Sequence, residues 1–95
     1  MDAVNKRPEK VALGQVFIGS RAWEKLDLWD VLLALGRHTW CDWGELDEHD
    51  WKENDSAMER GMRLASRYAS TNGTRFWIIT EHDRSATTVL LPNEY

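Results

Sequence analysis

The chain has 95 residues, 42% hydrophobic and 29% charged, with a formal net charge of −4 at pH 7. That length holds one domain with one thin core, and the balance excludes both wholesale disorder and a globally basic surface for DNA or RNA. The single cysteine, Cys41, excludes an intramolecular disulfide and fits a reducing compartment.

Residues 1–10 are polar, carry Pro8 and show no period, so a flexible arm is expected before a single domain over 11–95. The N-terminus has no apolar core of signal-peptide length, and no run approaches the roughly 20 apolar residues of a membrane span. The expectation is therefore a cytoplasmic protein without a membrane partner. "VALGQVFIGS" is short and glycine-bounded, with Val16 and Ile18 on one side and Gln15 and Phe17 on the other, which predicts a strand.

Ser20 is placed to cap a short helix, "RAWEKL". Asp27 opens a second, with Asp30 three residues on as a weak capping box. In "LWDVLLALGRH", Leu28, Val31, Leu32 and Leu35 recur at i, i+3, i+4, i+7 and predict one buried face. Trp29 and Leu33 widen the apolar surface beyond a stripe, so this is a sandwiched core helix or a self-association face. A third helix should start at Asp47, with Leu46 and Trp51 as a hydrophobic staple and Asp50 at N3, and run to about Arg60 before Gly61.

The last third alternates. "RLASRYAS", "RFWIIT" and "ATTVLL" predict three strands, joined by Asn72-Gly73 and by "HDRS", and stopped by Pro92. Both faces of "RFWIIT" are apolar, which marks it as central. The expected fold is α+β: a small antiparallel four-stranded sheet, order β-α-α-β-β-β along the chain, with helices packed on one face. The arm or a partner would cover the other face. Six tryptophans suit a small core, each needing a partner for its indole N–H.

Chemistry-bearing residues crowd into "HTWCDWGELDEHDW", His38 to Trp51. His38, Cys41, Asp42 and His49 match no common zinc spacing, so neither metal nor cofactor is expected. Carboxylates beside Cys41 raise a thiol's pKa, the wrong direction for a nucleophile paired with His38. Ser85, His82 and Asp83 fall within one turn and cannot reach triad geometry alone. No phosphate loop or dinucleotide fingerprint is present. No catalytic residue is assigned and an enzyme is not expected.

Residues 42–59 carry eight acids against one lysine, while the flanking segments are mildly basic. On a wheel begun at Asp47, Trp51, Met58 and Met62 make the buried stripe and Glu48, Asp55 and Glu59 a row beside it. The row is far sparser than a DNA phosphate backbone, which disfavours close DNA mimicry. A binding surface remains.

The segments "GQVFI", "RHTWCDWGELDEHDWKEN" and "TRFWIITEHDRSATTVLLPNEY" resemble a family of small proteins encoded on plasmids and integrative conjugative elements, usually labelled plasmid-related. That family reads RH…GDWG(D/E)L…, then an NG or DG turn, then WIITE-x-DRS-x-TT-(I/V)-LLP-x-EY. The match covers most of residues 14–95 and departs at Cys41, where relatives carry glycine. The resemblance implies a mobile-element setting, in which small acidic proteins often neutralise host defences in the manner of anti-CRISPR or antirestriction proteins. The expected partner is a protein complex with a basic groove, such as a nucleic-acid-binding defence effector. The contact residues would be Asp42, Trp43, Glu45, Asp50, Glu53 and Asp55, with Trp43 as anchor. The alternatives are a small hydrolase or nuclease-like factor using Glu81, His82, Asp83, Arg84 and Ser85, and a homodimer built on the Leu28–Leu35 helix.

Overall fold

The alternating last third folds as the pattern requires. Strands β2 (Leu64–Ala69), β3 (Arg75–Thr80) and β4 (Ala86–Leu90) form an antiparallel meander with β3 in the middle. The structure, a computed structural model, describes residues 10–95; residues 1–9 of the expected arm lie outside the described residues. Strand β1 (Gln15–Ile18) completes a four-stranded sheet of order β1-β4-β3-β2. It runs parallel to β4, with Val16 opposite Thr87 and Ile18 opposite Val89, so the sheet is mixed and not wholly antiparallel. Three helices intervene between β1 and the meander, and so long a connection permits a parallel return that a hairpin does not.

The Asn72-Gly73 turn differs from a two-residue hairpin. Gly73 alone takes a left-handed φ, +87°, and the Ser70 carbonyl accepts from Gly73 N at 2.9 Å. Asn72 is held elsewhere: its Oδ1 accepts from Thr74 N, and its Nδ2 donates to the Lys25 carbonyl.

Helix α1 (Ser20–Lys25) takes its N-terminal cap from the far end of the chain, not from Ser20. Glu94, in a closing 3-10 turn (Pro92–Glu94), accepts from the amides of Arg21, Ala22 and Leu91. Helix α2 (Leu28–Thr39) is capped by Asp27, which accepts from Trp29 N, while Asp30 reaches across to Thr71. Helix α3 (Glu48–Arg60) is capped by Asp47 accepting from Asp50 N, and ends on Gly61 at φ +66°, a left-handed C-terminal stop.

Two apolar clusters form the core. In one, Ala22 of α1, Leu26 just after it, and Val31 and Ala34 of α2 pack on Tyr68, Phe76, Ile78 and Val89. In the other, Val11, Trp43, Ala57 and Leu64 pack together, with Leu46, Trp51 and Met58 against them. The buried stripe of α2 is Val31, Ala34 and His38 with half-buried Leu35, so Leu28 and Leu32 are turned out and half exposed.

The cause of that rotation is His38, which is wholly buried and holds a chain of polar groups through the core. Its Nδ1 lies 2.6 Å from Ser66 Oγ and its Nε2 2.8 Å from Thr80 Oγ1. Thr80 Oγ1 lies 2.7 Å from Thr87 Oγ1, which donates to the Leu13 carbonyl at 2.8 Å. A carbonyl only accepts, so each proton direction follows in turn. Thr87 donates to Leu13, Thr80 to Thr87 and His38 Nε2–H to Thr80; with the ring neutral, Nδ1 accepts from Ser66 Oγ at 2.6 Å, a far shorter contact than the 3.5 Å from Ser66 Oγ to the Ile78 carbonyl. The imidazole is neutral with its proton on Nε2. Burial, helped by the Arg84 charge, pushes its pKa down from 6.5 to about 4.

An unfolded His38 takes up a proton near pH 6.5 and the folded one only near 4, so its contribution is complete above the first value and lost as pH falls to the second. Urea unfolding should show stability dropping by roughly 2–4 kcal/mol across that window. His38→Gln, which cannot titrate there, should remove this slope. A wild-type slope no steeper than the variant's would contradict the buried neutral imidazole.

Candidate partner-binding surface

The acidic segment begins where α2 stops. Cys41 adopts φ +65° and Gly44 φ +75°, so two left-handed residues three apart fold residues 40–45 into a tight reversal. Cys41 thus keeps the conformation that glycine takes most readily, and does so with a side chain. Gly44 has no such latitude, because a Cβ there would sit 2.0 Å from the Arg67 carbonyl oxygen.

That close approach seals the outer edge of β2. Arg67 N donates to the Trp43 carbonyl, and Glu45 N donates to the Arg67 carbonyl at 2.7 Å. Farther along, the Asn54 amide pairs with both backbone groups of Ala65. Edge strands that leave such groups open invite pairing with other chains. Asn54 and Ala57 are the fully buried residues of α3, beside half-buried Trp51 and Met58; Met62 lies past the helix and is exposed.

Six acidic-segment residues were expected to meet a partner, and the structure divides them. Trp43 is wholly buried, stacked edge-on against His38 at 5.5 Å, and its indole N–H donates to Asp55 Oδ1 at 2.9 Å. It is a core residue and not a surface anchor. The reason is local: the left-handed residues on either side turn its side chain inward onto Leu64 and Ala57.

Asp42 is also committed to the fold. It takes two hydrogen bonds from Arg37, at 2.9 and 3.3 Å, and one from Gly44 N, while its carbonyl accepts from Tyr68. The Arg37 contact holds its carboxyl below the ordinary value. The Tyr68 phenol is pushed well above its own by burial. Glu45 pairs with Arg75 at 3.0 Å, an exposed bridge worth little by itself. Asp55 is exposed and satisfies Trp43.

Asp50 and Glu53 stand differently. Both are exposed, and both border a groove of about 290 Å³ between α3 and the sheet face opposite α1 and α2. Leu46, Asn54, Ala65, Trp77 and Tyr95 line the rest. The Arg67 guanidinium lies over the Trp77 ring at 5.5 Å, and that of Arg63 over Tyr95 at 5.3 Å. Trp77 and Tyr95 escaped the sequence reading because they are distant in the chain from the acids. The two-faced apolar pattern of "RFWIIT" was the signal that an aromatic faced away from the helices.

The turn after β3 is built as a turn. Asp83 Oδ1 accepts from Ser85 N, Arg84 takes φ +61°, and Arg84 donates to the carbonyls of Met62 and Glu81. Ser85 contributes its carbonyl to Gln15 N of β1. Among the described residues, no three of the types His, Cys, Asp and Glu are grouped to hold a metal ion. No described helix is long and apolar enough to cross a membrane. Comparison with family models, curated proteins and solved structures found no match.

Trp43→Ala should cost about 3–5 kcal/mol in urea unfolding, as a buried aromatic does. Asp55→Ala should cost about 1 kcal/mol by removing the acceptor of the indole N–H. A loss well under 1 kcal/mol for Trp43→Ala would return that residue to the surface.

Proposed function

We propose that this protein is an accessory protein of mobile genetic elements that acts by binding, as an inhibitor of a host defence complex in the cytoplasm. Its mode is that of an anti-CRISPR or antirestriction protein: occupation of a basic groove by an acidic surface that carries aromatic side chains. The observation that carries this reading is the groove between α3 and the open sheet face, where Asp50 and Glu53 stand beside Trp77 and Tyr95.

The chemistry suits a partner rich in lysine and arginine. Carboxylates at a rim steer a basic partner and set its orientation, while Trp77 and Tyr95, each with one face already under an arginine of the chain itself, contribute contact area at the centre. Residues 42–59 concentrate eight of the chain's sixteen acids, which supports the same polarity. The resemblance of "RHTWCDWGEL" and "WIITEHDRSATTVLLPNEY" to plasmid-encoded proteins supports the setting. Occupation of a groove requires no turnover and no cofactor. In this reading Trp77 and Tyr95 take the anchoring role first assigned to Trp43, while Asp42, Trp43 and Asp55 act indirectly, by holding α3 and the 40–45 reversal in place.

Affinity capture of the tagged protein from a host lysate should return one stoichiometric complex, released as salt is raised. The combined variant Asp50→Lys, Glu53→Lys, Tyr95→Ala should keep its circular dichroism and capture nothing. Capture undiminished by that variant would sink the proposal.

A further inference from the structure

Helix α2 carries more apolar surface than the core uses. Leu28, Trp29, Leu32 and Leu33 keep 51%, 74%, 49% and 67% of their surface exposed, and Trp23 of neighbouring α1 keeps 64%. At about 100° per residue from Leu28, the turned-out positions are Leu32 at 40°, Gly36 at 80°, Trp29 at 100° and Leu33 at 140°. They form one continuous strip with Gly36 near its middle. A glycine inside a helix weakens it relative to alanine. Nothing outside the helix backbone lies within 4 Å of where a Gly36 Cβ would sit, so nothing in the monomer needs the missing side chain.

We propose that this strip is the contact of a symmetric homodimer in which α2 packs antiparallel against α2 of a second copy. Trp29 of each copy seats in the notch left by Gly36 of the other. A two-fold axis between positions 32 and 33 sets Trp29 and Gly36 each about 5 Å from the axis, at the same level in the two helices. Leu32 meets Leu32 and Leu33 meets Leu33 across that axis.

Two observations select a second copy as the occupant. One is area. Taking aromatic side chains at roughly 150–250 Å² each, the five exposed residues offer on the order of 600 Å² per copy, so the pair can bury up to about 1,200 Å², which reaches the lower bound of a standard stable interface. The other is charge. Asp30, which accepts from Thr71, and Arg37, which pairs with Asp42, lie on the same flank of the strip, and the same axis brings Asp30 of one copy within about 3 Å, along the helix, of Arg37 of the other, so the intermolecular contact adds to bonds already made within each copy. The pattern is self-complementary under the operation that seats Trp29 on Gly36, as an isologous interface requires. Antiparallel helices also oppose their dipoles favourably.

Sedimentation equilibrium over a wide concentration range tests this. The wild-type mass should rise from 11.1 kDa toward twice that value. Gly36→Trp and Trp29→Asp, both at exposed positions, should keep their helical circular dichroism and weaken self-association at least about 30-fold. In a Cys41→Gly background, which suits the left-handed φ at that position, Leu33→Cys should form a disulfide-linked dimer on mild oxidation, and Glu59→Cys on α3 should not. A wild-type chain that stays at 11.1 kDa throughout overturns the proposal. So does a dimer indifferent to Gly36→Trp, or cross-linking that is equal at the two cysteines. The groove beside α3 is left intact in these variants, so failure of the dimer and failure of partner capture are separate results.

Discussion

The buried imidazole of His38 is the centre of a chain of polar groups that crosses the core. Through Ser66 and Thr80 it links α2 to β2 and β3, and through Thr80 and Thr87 it reaches β4 and the Leu13 carbonyl before β1. Trp43 of the second apolar cluster rests edge-on against the imidazole. Within the chain the imidazole and the Thr80 and Thr87 hydroxyls each accept once and donate once, in a single order. Buried polar groups left unpaired cost about 1–3 kcal/mol each, so the network favours one rotation of α2 and penalises its neighbours. Among the described residues, Arg67 Nε is the buried side-chain polar atom left without a partner.

That rotation has consequences on both sides of the helix. Inward, it buries Val31, Ala34 and His38. Outward, it presents Leu28, Trp29, Leu32 and Leu33 to solvent. A helix that is core on one side and apolar on the other is stable in water only as far as its exposed strip is tolerated or covered. Beyond the C-terminus of α2, the 40–45 reversal and Asn54 seal the edge of β2, and in doing so they commit Asp42, Trp43 and Asp55 to structure. The acids left facing outward at the groove are those of the first two turns of α3, Asp50 and Glu53.

Much of the fold was legible in the chain. Alternation marked β2, β3 and β4, and the Asp27 and Asp47 caps with Gly61 marked the ends of α2 and α3. The α+β class and the order of elements follow from those signals. The parallel pairing of β1, the Glu94 cap on α1 and the inward turn of Trp43 were not legible, because each depends on residues far apart in sequence. The α2 face was misread for a definable reason. Periodicity weighs leucine above histidine, and a histidine with both ring nitrogens satisfied can displace a leucine from the core. The same limit hid the groove, whose acids lie on α3 while its aromatics come from β3 and the last residue of the chain.

The polar chain through the core requires a neutral His38 with its proton on Nε2, and long-range proton–nitrogen correlation spectra of the imidazole read both properties. The expected result is the Nε2–H tautomer at neutral pH and no protonation of His38 until about pH 4. An Nδ1–H tautomer, or titration of His38 near the ordinary value of 6.5, would contradict the hydrogen-bond order from which the rest of the structure is derived.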